Sequence, residues 1–218
     1  MIETLFPNVD TEKAWEKTIE TLYMTGVSLI WIFIIGVILG LLLFLTSKGN
    51  LWENRVINWI ISSIVNIFRS IPFVILIVLL IPFTRALMGT MIGMKAALPA
   101  LIIGSAPFYA RMVEIGLREI DKGVIEAARS MGARTSTIIF KVLLPESMPA
   151  IVSGITVTAI ALVGYTAIAG VIGAGGLGDY AYLDGFSRNQ NGRAGVVTLL
   201  ILLIVFIYFH HLHLHRQF

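Results

Sequence analysis

Two stretches of this chain carry no charge for longer than a bilayer is thick. Thr21 to Ser47 runs 27 residues and Ser147 to Gly178 runs 32 without Asp, Glu, Lys or Arg, whereas a helix needs about 20 to cross the hydrocarbon. Three shorter apolar runs need their flanks. Ser70 to Thr84 offers 15 uncharged residues, about 22 Å of helix against a core about 30 Å thick, so its helix has to extend back past Arg69. Ala96 to Ala110 borrows from Met91 on one side or from Met112 to Leu117 on the other, and Ala194 to Phe209 runs on into a His-rich end. The pattern predicts about five transmembrane helices, near 21–46, 58–83, 92–117, 149–172 and 195–213. That is an all-α polytopic membrane protein forming a single transmembrane domain over residues 1–218.

Composition removes the soluble alternative. Residues are 57% apolar and only 13% charged, against about a quarter charged in ordinary soluble domains. The first twenty residues hold five acids and two lysines, the reverse of a basic signal-peptide start, so no cleavage is expected. Cysteine is absent, which removes disulfides, thiolate metal sites and cysteine nucleophiles. The net charge of +3 gathers near the span ends and no nucleic-acid motif accompanies it, so it speaks for orientation in an anionic bilayer. With the amino terminus outside and the carboxyl terminus in the cytoplasm, ten Lys and Arg fall on the inner side and six on the outer. The positive-inside rule selects that topology.

It also makes one charged island cytoplasmic. Between the third and fourth spans, about 119–147, Asp121 is placed to cap a short helix from Val124 to Met131, and Gly132 can take the left-handed conformation that ends it. Ile125, Ala128 and Met131 would share one face, Ala127 and Ala128 keep the helix thin, and Glu126 and Arg129 supply charge at its edge. A second amphipathic piece is expected from Thr135 to Leu144, with Ile138, Ile139, Val142 and Leu143 as its stripe. Pro145 cannot continue the hydrogen bonding, so the chain should turn there and re-enter the membrane. Two short crossed helices would form a knob.

The island reads EAARSMGARTSTIIFKVLLPES from Glu126 to Ser147. Glu-Ala-Ala, a glycine four residues after the second alanine and a later Leu-Pro resemble the signature of the permease subunits of bacterial ABC importers. NIFRSIPF at 66–73, IPFTRALMGT at 81–90, APFYARMVE at 106–114 and LVGYTAIAGVIGAGGLGDYAY at 162–182 resemble the methionine-importer branch, and the likeness covers about residues 15 to 205. After Val205 the chain departs, giving FIYFHHLHLHRQF where relatives continue as a longer basic tail.

The resemblance implies the type I importer permease fold, with Glu126, Ala127, Ala128, Arg129, Met131 and Gly132 forming the coupling helix that sits in a groove of an ATPase subunit. It implies a bacterial cytoplasmic-membrane complex of two permease copies, two ATP-binding subunits and a substrate-binding lipoprotein, carrying L- and D-methionine. Another small amino acid or a peptide is the alternative cargo. Gate or pathway candidates are Gly164, Tyr165 and Ile168 in the fourth span and Ser105 and Pro107 in the third; for Ile168 a packing role is the other reading. No G-x-x-x-x-G-K-[ST] phosphate loop occurs, so ATP and Mg belong on a partner chain, with no cofactor, metal or catalytic residue expected on this one.

The remaining features have plainer readings. Gly173, Gly175, Gly176 and Gly178 mimic a dinucleotide loop but follow no strand, and read instead as an outer turn where backbones pack closely. Arg69 either faces protein or water within its span, or snorkels to the inner surface from a span that starts later. Arg111 and Glu114, three apart on one helical face, neutralise each other. His211 and His215 could share a face for a metal, without a carboxylate or cysteine to complete the set. Thr11 to Glu20 reads as an amphipathic helix on the outer surface. A secondary transporter would need intramembrane acids for ion coupling, and the two long uncharged spans contain none. An intramembrane enzyme would need a nucleophile or metal set that the spans lack.

Overall fold

Asp10 opens the first helix, its carboxylate accepting the Lys13 amide at 3.0 Å. The computed structural model describes residues 10–188 and 191–214, the side chains of 191 and 208–214 excepted, and every regular element among them is helical. The expected metal pair at His211 and His215 lies outside the described side chains.

Helix α1 runs unbroken over Thr11–Thr46. The separate surface helix expected at Thr11 to Glu20 is therefore the first part of a longer rod. Ala14, Thr18 and Thr21 are its buried face, while Trp15 and Ile19 point outward. The polar start needs no break because Thr18, Thr21 and Thr25 return their hydroxyls to the carbonyls of Ala14, Lys17 and Thr21. In a helix those i−4 acceptors satisfy a hydroxyl locally.

The span expected at 58–83 comes in pieces: α2 (Arg55–Ser70), α3 (Phe73–Leu79) and α4 (Ile81–Met88). Asn54 caps α2 by accepting the Val56 and Ile57 amides at 3.1 and 3.0 Å. Pro72 has no amide to donate and drives Ile71 away from helical geometry, so the chain breaks between Ser70 and Phe73. Arg69 then sits exposed in the last turn of α2, where the negative end of the helix dipole favours a cation. The break therefore puts Arg69 at the end of a helix rather than inside a continuous one.

Helix α5 (Met94–Arg118) is continuous through Pro99 and Pro107. After α6 (Lys122–Ser130) comes α7 (Thr135–Ile138), a π-helical turn at Ile139–Leu143, and α8 (Leu144–Ala169). The turn expected at Pro145 is absent, and helical structure runs on from Thr135 through Ala169. The π turn explains this. Leu144 donates to the Ile139 carbonyl, a widened bond just ahead of the proline that absorbs the ring. Only α6 is an isolated short helix in the island, so the two-helix knob becomes one helix and the foot of a long one.

Beyond a kink at Ile172 and Gly173, α9 (Gly176–Asp179), a π-helical stretch Tyr180–Phe186 and α10 (Asn191–Leu214) follow. Among the described residues, Thr11–Thr46, Met94–Arg118 and Thr135–Ala174 are long and apolar enough to cross a membrane; α2 with α3 makes a fourth if that bent pair is one crossing, and Gly192–Ile207 is a shorter apolar helix. Long helices alone do not reach the five spans expected.

Two contact units divide the chain. One gathers the start of α1 up to Trp31, Ile71–Gly104 and everything from Ala159 onward; the other gathers Ile32–Ser70 and Ser105–Thr158. In the first, Val163, Leu177, Tyr180, Val197 and Ile204 close around Ala14. In the second, Tyr109 is fully buried, stacks near Phe33 and donates its hydroxyl to the Ile151 carbonyl at 3.2 Å.

Candidate coupling segment and pathway residues

The island begins where α5 ends in a charged clasp. Glu114 is 2% exposed, and its two oxygens take Arg111 at 2.5 Å and Arg118 at 2.7 Å. The neutralisation expected between Arg111 and Glu114 is present, and two further contacts extend it. Arg118 completes the carboxylate, while the second Arg111 amino group reaches Asn66 Oδ1 on α2 at 2.9 Å.

Asp121 then caps α6 as its sequence position suggested, with extended backbone and a carboxylate accepting the Gly123 amide at 2.7 Å. The far end closes as a Schellman motif. Ala133 donates to the Ala128 carbonyl at 3.1 Å and Gly132 to that of Arg129 at 2.9 Å, with Gly132 at φ 78°. A side chain there would be strained, which is the physical reason for glycine at this position.

The cap also divides the face expected for Ile125, Ala128 and Met131. Ala128 is buried and Ile125 half-buried, whereas Met131, at the C-cap and off the helical register, is 81% exposed. Glu126, Ala127 and Arg129 are exposed too. Beyond the loop, Ile138, Ile139 and Leu143 are buried and Val142 half-buried, which anchors the segment from the carboxyl side. The result is a short, rigidly capped helix with a thin buried edge and a mixed apolar and charged outer face. It can dock against a protein surface.

The pathway candidates separate into two groups. Gly164 is exposed with open space where a side chain would project, Ile168 is half-buried, and Tyr165 stacks on Phe73 with ring centroids 4.5 Å apart and planes 12° apart. Ser105 and Pro107 belong to the other contact unit and are buried, presenting no surface to a passing solute; the Ser105 hydroxyl finds no partner among the described residues. Phe73 escaped the sequence reading. Its place after Pro72 marks a helix start, but nothing local marks its partner.

A second polar cluster was also missed. Asp184, buried, is bound by Lys13 at 2.5 Å, Arg188 at 2.5 Å and Arg193 at 3.5 Å. Lys13 and Arg193 also lie 5.9 Å from the Tyr180 ring. Burial pushes the Asp184 carboxyl up, but the Lys13 bond and the charges of Lys13, Arg188 and Arg193 outweigh it and hold it below the ordinary carboxylate value. Next to it, Lys17 pairs with Glu20 and Asp179, while Glu20 and Thr21 accept the amides of Gly176 and Leu177. The start of α1 is thereby stitched to the glycine turn. At Gly178 an added Cβ would collide with the Ala167 carbonyl, so backbones do pack closely there. No group of three or more His, Cys, Asp or Glu placed to hold a metal occurs among the described residues.

Residues 32–216 match the family described as "Binding-protein-dependent transport system inner membrane component". The chain is 68% identical over 201 residues to the methionine import system permease protein MetP of Bacillus subtilis (strain 168), covering 92% of this chain and 90% of that protein. It is 45% identical over 195 residues to the probable D-methionine transport system permease protein MetI of Pasteurella multocida (strain Pm70), covering 88% and 90%. A solved chain of the MetNI methionine ABC transporter in an inward-facing conformation superposes with a TM-score of 0.93 at 44% identity, covering 95% of this chain and 96% of that one.

Proposed function

Because this chain belongs to the family of binding-protein-dependent transport system inner membrane components, we propose that it is the permease subunit of an ATP-driven methionine importer. The capped helix α6 carries the reading: a polar docking element, fixed at both ends, in a chain otherwise built for lipid. The methionine assignment rests on the relatives, one of them 68% identical along nearly the whole length.

Two copies of the chain would enclose the pathway as a single permease domain each, with Glu126, Ala127, Arg129 and Met131 facing the ATPase while Ala128 and Gly132 set the helix position. ATP and Mg would be held by the two ATPase subunits, and a lipoprotein would deliver the cargo from outside. The amino terminus would lie outside and the carboxyl terminus in the cytoplasm, with α2 to α4 as one broken crossing and α10 as the fifth. Closure of the ATPase pair would displace α6. Because α5 enters α6 within three residues and the helix from Thr135 leaves it after four, the displacement passes to two crossings and biases a packed bundle between two states. Gly164, Tyr165 and Ile168 are the gate candidates; Ser105 and Pro107, buried in this state, would reach a solute only after such a change.

The test is reconstitution. Co-expressed with its ATPase and binding protein and placed in proteoliposomes, the chain should support ATP-dependent uptake of labelled methionine, and Gly132→Asp should abolish stimulation of the ATPase. Full stimulation by Gly132→Asp would overturn the coupling assignment, and preferred uptake of another amino acid or a peptide would overturn the cargo.

A further inference from the structure

Helix α2 is thinly packed for its length. Val65 is its one side chain buried among the described residues, while Val56, Ile57, Trp59, Ile60, Ile64 and Ile67 all point outward. Polar clasps hold it instead. Near its start the Asn58 amide group donates to the Leu43 carbonyl at 2.9 Å and to Thr46 Oγ1 at 3.1 Å, both at the end of α1. Near its end Asn66 Oδ1 accepts from Arg111 of α5 at 2.9 Å. With so little apolar interlocking, these bonds set the helix's place along its neighbours.

The second clasp has a built support. Arg111 spends one amino group on Glu114, whose other oxygen is taken by Arg118. A carboxylate this buried is tolerable only when fully paired, so Glu114 fixes the Arg111 guanidinium and leaves its second amino group aimed at α2. A planar guanidinium held on one edge presents the other in a defined direction. Arg118 is the last residue of α5, three residues from the Asp121 cap of α6. Arg111 itself lies about two helical turns before the end of α5.

We infer that Glu114, Arg111 and Asn66 form a positioning relay by which displacement of α6 moves α2. Glu114 orients, Arg111 bridges, and Asn66 is the receiving point. The inference rests on the importer reading above and adds to it a branch that leaves α5 sideways for α2.

Asn66 is the residue to change, because it is exposed and its substitution leaves the buried carboxylate paired; Glu114→Gln would disturb folding as well. Full complexes carrying Asn66→Ala or Asn66→Asp are reconstituted with ATPase and binding protein, and uptake and ATP hydrolysis are measured together. Mutations along a coupling route change coupling by about 0.5–2 kcal/mol, or about 2- to 30-fold. Asn66→Ala is expected to lower methionine transported per ATP by about threefold or more at an unchanged hydrolysis rate. Asn66→Asp, which keeps the acceptor for Arg111, should restore the ratio. An unaltered ratio in Asn66→Ala overturns the relay, as does a parallel loss of uptake, hydrolysis and assembly that Asn66→Asp fails to rescue. A wild-type complex with no stimulated hydrolysis overturns the importer reading instead.

Discussion

Phe73 and Tyr165 lie face to face, 4.5 Å between ring centroids, tying the first turn of α3 to the carboxyl-terminal turns of α8 beside the open surface at Gly164. Such a pair contributes about 0.5–1.5 kcal/mol beyond the area it buries. Tyr165→Phe preserves the stack and should leave methionine uptake within about twofold of the wild type. Tyr165→Ala removes it and should cut uptake by up to about tenfold, the rate equivalent of that energy, in a complex that still assembles. Proteoliposome uptake beside size-exclusion chromatography of the purified complex separates the two effects.

At Gly132 the left-handed backbone sets an order of substitutions. A residue with a Cβ in that region costs about 1–2 kcal/mol, and Asn bears it better than Ala or Val. Stimulation of the partner ATPase should therefore fall in the order Gly, Asn, Ala, Val. Equal stimulation by Asn and Val would contradict the backbone argument.

The Asp184 cluster makes stability depend on acid. An ordinary carboxylate titrates near 3.9 in the unfolded chain, and the three cations hold Asp184 below its ordinary value in the fold. Its contribution is thus fully present above about pH 4 and is lost as the pH falls through the depressed value. Asp184→Asn should lower the thermal midpoint at pH 7 by the equivalent of about 1–2 kcal/mol, because three cations, two of them partly in solvent, lose the carboxylate they share. The same substitution should flatten the fall in midpoint below about pH 4. Thermal unfolding of the purified complex between pH 3 and pH 7 reads both.

Two glycines on neighbouring stretches should respond oppositely to a methyl group. At Gly164 an added Cβ meets nothing within 4 Å, whereas at Gly178 it runs into the Ala167 carbonyl. Gly164→Ala should raise the thermal midpoint slightly, because glycine inside a helix costs about 0.5–1 kcal/mol relative to alanine. Gly178→Ala forces the backbone apart and should destabilise by about 1–3 kcal/mol, as overpacking does. The pair serves as its own control in one melting experiment.

What could be read from sequence was local. Asp121 as a cap and Gly132 as a stop follow from rules that involve only a few neighbouring residues, and both hold in the structure. The long uncharged runs of α1 and α8 follow from the thickness of a bilayer. Prolines were harder to read, because their effect depends on what surrounds them. Pro72 breaks the chain outright, while Pro145, where a turn was expected, is carried through by a π turn that no periodicity announces. The stack of Phe73 on Tyr165, the Asn66 clasp and the Asp184 cluster all join residues far apart in the chain, and the pattern along one segment holds no record of a partner on another.

One carboxylate serving three cations is an asymmetric arrangement. If Lys13, Arg188 or Arg193 is exchanged singly, two opposite charges still neutralise Asp184, so each basic position can drift through evolution on its own. Loss of the acid instead leaves three positive charges close together without the carboxylate they share. Among diverged versions of this chain, variation should accumulate at 13, 188 and 193 long before it is tolerated at 184.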